Sequence, residues 1–86
     1  MDILKVSSKS NPNMVAGALT GMIKEEKNFA MQAVGAGAIN QAVKAVAIAK
    51  SFVNEEDKEI YCTPEFITLE INGEEKTGIK FYIGLK

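Results

Sequence analysis

Between Gly35 and Val53 the chain reads GAGAINQAVKAVAIAKSFV, and its hydrophobic residues recur every three or four positions. The loop Gly35-Ala36-Gly37 opens into a run without Gly or Pro, which predicts a helix from about Ala38. One apolar stripe is expected to face the core, and it contains Ile39, Ala42, Val43, Val46, Ala49, Phe52 and Val53. A second, lightly polar face is expected to be covered as well, and it contains Gln41, Lys44, Ala45 and Ile48.

Two short strands are predicted before this helix. Asp2 to Val6 alternates between polar and apolar residues, as a half-buried strand does. Phe29 to Val34 is short and mostly apolar, which is typical of a strand buried on both faces. Because a helix separates the two segments, we expect them to be parallel neighbours joined by a right-handed crossover.

The intervening helix follows a polar loop. Asn11 is expected to be its N-cap and Pro12 its first residue, with Asn13 as the alternative cap. Apolar residues at helical spacing then form its buried stripe: Val15, Ala18, Leu19, Met22 and Ile23. Gly17 and Gly21 weaken the helix but are expected to permit close packing.

The stretch Ile60–Ile71 is predicted to be a strand with a break in it. Ile60 and Cys62 share one parity, whereas the later apolar residues share the other: Ile67, Leu69 and Ile71. A slip of one residue exchanges the two faces of a strand. We therefore expect a bulge or break at Thr63-Pro64-Glu65.

A hairpin completes the predicted fold. Asn72-Gly73 is a strong signal for a two-residue type I′ turn, and after it the apolar residues alternate to the end: Ile79, Phe81, Ile83 and Leu85. The elements thus occur in the order βαβαββ. We expect one domain, residues 1–86, of the α+β class, in which two helices cover one face of a mixed four-stranded sheet.

The composition is that of an ordinary globular domain, 47% hydrophobic and 24% charged, so disorder is not expected. No apolar run approaches the roughly 20 residues that span a bilayer. The first residues, MDILKVSS, lack the basic and apolar run of a signal peptide, and a single Cys cannot form an internal disulfide. We therefore expect a cytoplasmic protein that does not bind membranes.

Missing residue types argue against an enzyme. The chain contains no His, which excludes Ser-His-Asp triads, Cys-His pairs and imidazole metal ligands. Cys62 is expected to be a buried small hydrophobe, since no His can activate its thiol. The acidic stretch Asn54-Glu55-Glu56-Asp57 is interpreted as a solvated turn. No catalytic residue, metal or cofactor is expected.

Charge is distributed unevenly along the chain. All ten basic residues are Lys, so no guanidinium can clamp a phosphate, and the net charge of −1 argues against a general nucleic-acid coat. Residues 1–53 carry six Lys and three acids, a net of +3, whereas residues 54–86 carry four Lys and eight acids, a net of −4. An anion-binding surface is therefore expected in the first half.

The loops that precede the two helices form the candidate anion site. If the first two strands are parallel neighbours, both loops lie at one edge of the sheet, each at a helix N-terminus with free N–H groups. The first loop adds hydroxyls, amides and an ammonium, and the second adds glycines that let a phosphate approach the backbone. The predicted site residues are Ser8, Lys9, Ser10, Asn11, Asn13, Gly35, Gly37, Asn40 and Lys44. Ordinary capping and turn formation is the alternative explanation of these residues.

Two long motifs, VSSKSNPNMVAGAL and GAGAINQAVKAVAIAK, resemble the stage V sporulation protein S family, a group of Alba-like bacterial proteins. The resemblance runs from Leu4 to the terminal IKFYIGLK. It implies an Alba-like domain with the same layout, a homodimer, and nucleic acid held at this edge together with a β-hairpin. Lys9 corresponds by position to the basic loop of Alba-like proteins. The Gly-Ala loop before the second helix and the acidic hairpin tip depart from them, so tight duplex coating is not expected.

The resemblance implies a regulator of sporulation. The predicted function is accordingly a non-enzymatic regulator that binds DNA or RNA, moderately to weakly, through the two loops. The alternative is a protein-interaction module that recognises an unknown partner through the loops and the acidic hairpin, without direct nucleic-acid binding. A homodimer is expected through Ala45 and Ile48, which a monomer would leave exposed. Three aromatic residues stack bases if they lie on the open sheet face, and otherwise belong to the core or to an interface: Tyr61, Phe66 and Tyr82.

Overall fold

The computed structural model of the chain describes residues 2–25, 29–53 and 59–86. The elements follow the predicted order: β1 (Asp2–Val6), α1 (Pro12–Lys24), β2 (Phe29–Val34), α2 (Ala36–Phe52), β3 (Ile60–Ile71) and β4 (Glu74–Leu85). The second helix begins at Ala36, two residues earlier than expected. The acidic turn that the sequence predicts at 54–57 lies outside the described residues.

The four strands form one mixed sheet in the order β1-β2-β4-β3. β1 and β2 are parallel, with Val6 opposite Ala33, whereas β4 runs antiparallel to both of its neighbours. Both helices cover one face of this sheet, so the predicted α+β architecture is confirmed. The parallel pairing brings the carboxyl ends of β1 and β2, and hence the loops that follow them, to the same edge.

The core lies between the sheet and α2. Small side chains let this helix approach its neighbours closely, and four of them are buried: Ala38, Ala42, Ala45 and Ala49. Leu19 of α1 and Met31 of β2 are the largest side chains that are completely buried. Burial of such side chains supplies the hydrophobic free energy that stabilises the domain.

The buried face of α2 differs from the prediction. Val43 and Phe52, assigned to the core stripe, are half exposed, whereas Ala45, assigned to the second, lightly polar face, is 0% exposed. The reason is that α1 packs against α2, and Ile48 also packs against the core. The expectation that a monomer leaves Ala45 and Ile48 exposed is therefore wrong.

The glycines of α1 do not serve close packing within the chain. A Cβ built on Gly17 or Gly21 would meet nothing within 4 Å in the described part of the chain. Both residues lie on the exposed side of the helix, away from the buried Ala16 and Leu19. The expectation of close packing at these two positions is wrong.

The third strand is continuous, so the break predicted at Thr63-Pro64-Glu65 is wrong. β3 pairs with β4 residue for residue from Ile60–Leu85 to Ile71–Glu74, without a bulge. Pro64 is tolerated because β3 is an edge strand, where one side of the backbone needs no partner. The parity of the apolar residues changes because the two halves of β3 bury opposite faces. The early apolar residues pack in the core beneath α2, whereas Leu69 and Ile71 line a groove on the opposite face.

The β3–β4 hairpin is longer than the rest of the sheet. β2 pairs with β4 only from Ala30–Tyr82 to Val34–Gly78. Residues 68–77 therefore pair only with each other and extend past the edge where β1 and β2 end; we call them the hairpin arm. Asn72, with φ of 54°, and Gly73, with φ of 80°, form the turn that the sequence predicts.

Candidate nucleic-acid interface

The loops before α1 and α2 lie side by side, as predicted. A Cβ added to Gly37 would lie 3.0 Å from the Cβ of Ser8, and Gln41 Nε2 donates a hydrogen bond to the Ser10 carbonyl oxygen at 2.9 Å. We call the surface formed by residues 7–11 and 35–37 the loop edge. Gln41, which links the loops, is not among the predicted site residues, because one Gln on a helix gives no signal of its partner.

The first loop is held by hydrogen bonds within itself. The Ser7 amide donates to Ser10 Oγ at 2.9 Å, the Ser10 amide donates to the Ser7 carbonyl at 3.1 Å, and the Lys9 amide donates to Ser7 Oγ at 3.2 Å. Ser10 therefore acts mainly as a structural residue. Ser8 and Lys9 lie exposed at the apex, and neither side chain hydrogen-bonds or ion-pairs with any residue that the structure describes.

The N-terminus of α1 is already capped. Asn11 Oδ1 accepts hydrogen bonds from the amides of Asn13, at 2.8 Å, and Met14, at 3.3 Å, and Pro12 has no N–H to offer. The predicted cap, Asn11 followed by Pro12, is confirmed. It also corrects the expectation of free N–H groups here, because the Asn11 side chain occupies the position that an anion would take.

The N-terminus of α2 is open by comparison. Its N-cap is Gly35, with φ of 90°, and among the described residues no side chain accepts a hydrogen bond from its first turn. Ala36 and Gly37 are exposed. Because the first N–H groups of a helix carry a partial positive charge, this terminus is the better anion site of the two.

Three predicted site residues lie away from this contact. Asn13 is exposed in the first turn of α1, and Asn40 and Lys44 are exposed on the outer side of α2. Lys44 is seven residues beyond Gly37, or about 10 Å along the helix axis. The structure thus groups Ser8, Lys9, Gly35 and Gly37 at the loop edge and leaves Lys44 at its periphery.

A groove of about 420 Å³ lies between the loop edge and the hairpin arm. Its polar lining comes from β1, β2, the first loop and the arm, which supplies one carboxylate, and its apolar lining comes from β1, β2 and the arm: Lys5, Val6, Ser7, Ser8, Gln32, Val34, Leu69, Glu70 and Ile71. Lys5 and Gln32 are not among the predicted site residues, because nothing in the sequence shows that the arm faces them. The turn of the arm carries an exposed ion pair, Lys76 Nζ to Glu74 Oε2 at 3.1 Å.

The aromatic residues are divided between the two faces of the sheet. Tyr61 and Tyr82 lie on the open face, whereas the strand alternation puts Phe66 on the helix side, where it is 78% exposed. Cys62, also on the helix side, is half-buried against the core, and burial raises the pKa of its thiol. A raised pKa leaves less of the reactive thiolate at neutral pH.

Within residues 2–25, 29–53 and 59–86, no three His, Cys, Asp or Glu residues are grouped so that they could hold a metal ion. None of the helices in this part of the chain is both long enough and apolar enough to cross a membrane.

Comparison with known proteins gives one family and one fold. The family model described as Stage V sporulation protein S (SpoVS) matches residues 2–86. Among solved structures, the chain is similar to Alba from Thermoplasma volcanium, with a TM-score of 0.66 and 17% sequence identity over 96% of this chain and 99% of that chain. At this identity the structural likeness shows the fold alone.

Proposed function

Because the chain belongs to the stage V sporulation protein S family, we propose that it is a non-enzymatic regulator that binds nucleic acid at the loop edge. Membership of the family implies a sporulation-related role. The observation that carries the proposal is the meeting of two features at one place: the exposed Ser8–Lys9 apex and the open N-terminus of α2.

The chemistry of this place suits a phosphate group. The α2 terminus offers backbone N–H donors and the positive end of the helix dipole. A Cβ at Gly35 would meet nothing within 4 Å in the described chain, so a ligand can approach the backbone there. Ser8 adds a hydroxyl and Lys9 adds a mobile positive charge. Phosphates of DNA and RNA would be bound alike by these groups, since none of them reads a base.

The binding should be moderate to weak. Lys9 is the only basic side chain of the loop edge, no Arg is present, and the α1 terminus is occupied by Asn11. A site that neutralises one or two phosphates gives a salt slope of only about −1 to −2 on a log–log plot. A nucleic-acid target would be met in the cytoplasm, which is the location that we propose.

We also propose that the chain forms a homodimer, through the flank of α2 that faces β3. Lys50 of α2 pairs with Glu59 at 3.4 Å, which identifies this side of the helix, and Val43 lies on the same side two turns earlier. Val43 is 52% exposed and Phe66, on the helix side of β3, is 78% exposed. Apolar side chains of this size on one flank suit an isologous contact.

The test is a filter-binding titration of the purified protein with short duplex DNA, single-stranded DNA and RNA at low and moderate salt. Binding of at least one of them that weakens as salt rises would support the proposal, because counterion release accompanies phosphate contacts. Absence of binding at low salt would refute it. The protein-interaction alternative, with the exposed acidic hairpin arm as its recognition surface, would then replace it.

A further inference from the structure

The face of the sheet opposite the helices, which we call the open face, carries both tyrosines of the chain. Residues paired directly across two strands project to the same side. Tyr61 is opposite Gly84, and Tyr82 is paired with Ala30 on one side and Thr63 on the other. The two rings therefore lie on one surface, on neighbouring strands β3 and β4.

The ring of Tyr61 lies across β4. A Cβ at position 84 would overlap the Tyr61 hydroxyl and ring, so the ring occupies the space that only a Gly leaves free. Tyr61 is nevertheless 44% exposed. The hydroxyl end of the ring thus packs over Gly84 while the side chain stays partly open to solvent, and such an exposed aromatic ring can stack a base.

Positive charge lies on the same face as this ring. Lys80 Nζ is 5.2 Å from the centroid of the Tyr82 ring, although Glu65 is the cross-strand neighbour of Lys80. Lys5, on β1, lies on the same face across Gln32. The four-stranded part of this face thus carries two Lys against one carboxylate, whereas the chain as a whole has a net charge of −1.

The open face leads into the groove described above. Gln32 pairs with Lys5 on one side and with Lys80 on the other, and both Gln32 and Lys5 line the groove. The groove adds apolar walls and ends at Ser7 and Ser8 of the loop edge. Amphipathic concavities of this kind bind flat ligands that combine an apolar body with a polar rim.

We propose that the open face binds the unpaired bases of a single-stranded nucleic acid. Tyr61 stacks a base, Lys80 attracts the neighbouring phosphate, and the strand continues through the groove toward the loop edge. The inference rests on the proposed function and narrows its target. A duplex keeps its bases paired and stacked, so it cannot present a base face to Tyr61.

The unmodified protein supplies the first measurement. The chain contains no Trp and only two Tyr, both on the open face, so its intrinsic emission reports on this surface. Titration with oligo-dT or oligo-U of about 12 nucleotides, within the usual range of single-strand site sizes, should quench this emission. A duplex at equal absorbance corrects for light absorbed by the nucleic acid and should quench it much less. Equal quenching by duplex and single strand would overturn the inference.

Variants supply the second measurement. Tyr61→Leu should weaken binding of oligo-dT and oligo-U by about tenfold or more, while Tyr61→Phe retains most of the affinity, because stacking needs the ring and not the hydroxyl. The salt slope should stay unchanged in both. Phe52→Ala, which removes an aromatic residue of similar exposure from α2, is the matched control and should bind as the parent does.

The outcomes separate this inference from the proposed function. If the parent binds single strands and Tyr61→Leu binds them equally well, the open face is not the site and binding at the loop edge still stands. If the parent binds no nucleic acid at low salt, both ideas fail. If Tyr61→Leu instead lowers the particle mass in light scattering without nucleic acid, the face is a contact between copies of the chain, which also overturns the inference.

Discussion

Gly37 lies so close to Ser8 that a Cβ added to it would be 3.0 Å from the Ser8 Cβ. The atom in the way is fixed to the backbone, and the turn that carries it is held by the hydrogen bonds between Ser7 and Ser10. Ser8 therefore cannot swing aside as the end of a long side chain could. Two loops that are almost thirty positions apart in the sequence become one surface because position 37 has no side chain.

Substitutions at Gly37 should separate the loops. Gly37→Val should lower the free energy of unfolding by about 1–3 kcal/mol, the usual range for overpacking, and should weaken nucleic-acid binding at the loop edge. Gly37→Ala should cost less, since the helix propensity gained by Ala offsets part of the clash. Urea unfolding and oligonucleotide titration measure the two effects. If Gly37→Val has the stability and the affinity of the parent, the close approach of position 37 to Ser8 does not limit which side chain fits there.

Gly21→Ala makes the same substitution as Gly37→Ala at a position where the added Cβ meets no other atom of the described chain. A Cβ at this position meets nothing within 4 Å in the described chain, and its φ is not in the left-handed region. We expect it to raise the free energy of unfolding by about 1 kcal/mol through helix propensity alone, and Gly17→Ala should do the same. Urea denaturation checks both. A lower free energy of unfolding, or a fall from the dimeric to the monomeric mass, would instead mean that this side of α1 contacts another molecule.

The order of elements could be predicted because local patterns agreed with the fold. The alternation of β4, the Asn72-Gly73 turn and the Asn11-Pro12 cap each determine a local geometry, and all three are confirmed. The neighbouring position of the two loops also followed, since parallel strands end at the same edge.

The errors occurred where distant parts of the chain decide burial. Ala45 is buried in a helix that packs against both α1 and the sheet, and a helical stripe cannot show which of two apolar sides meets another helix. Leu69 and Ile71 lie on the opposite face from the core residues of β3, because the hairpin arm extends beyond the core. In the sequence, this shift of the apolar pattern by one residue cannot be told from a bulge. At the candidate site, Gln41 and Gln32 were missed for the same reason. Gln41 bonds to Ser10, which is more than thirty residues away in the chain, and Gln32 shares a groove with residues of β3, which lies two strands away in the sheet.

Cys62 should react slowly with thiol reagents in the native protein and rapidly after unfolding, because burial raises the pKa of its thiol. A raised native pKa means that the folded state holds the proton more tightly. The resulting stability is complete below the unfolded pKa of about 9.0 and is lost as the pH rises through the native pKa. Between neutral and alkaline pH, the free energy of unfolding measured in urea should therefore fall more steeply for the parent than for Cys62→Ala. At neutral pH, the substitution itself should lower the free energy of unfolding by about 1 kcal/mol. Fast native labelling, together with loss of binding in Cys62→Ala, would contradict this view.

Phe66→Asp should dissociate the proposed dimer. A charge at a 78% exposed position costs a monomer little, but it would be buried at a two-fold contact. Light scattering at concentrations on the order of tens of micromolar should give twice 9.3 kDa for the parent and 9.3 kDa for the variant. Met14→Asp, at an equally exposed apolar residue of α1, is the control and should remain dimeric. A parent mass of 9.3 kDa would refute the dimer.

Lys9→Glu should abolish most binding at the loop edge, because it replaces attraction by repulsion beside the open terminus of α2. Lys9→Ala should weaken binding of all sequences alike and reduce the magnitude of the salt slope by about one unit, as loss of one phosphate contact does. Lys24→Glu makes the same change of charge at the other end of α1, about 20 Å away, and should have little effect. Salt titrations of the parent and the three variants with one oligonucleotide provide the test. If Lys9→Glu and Lys24→Glu bind equally well, only the net charge of the chain matters, and the loop edge is not where the phosphate lies.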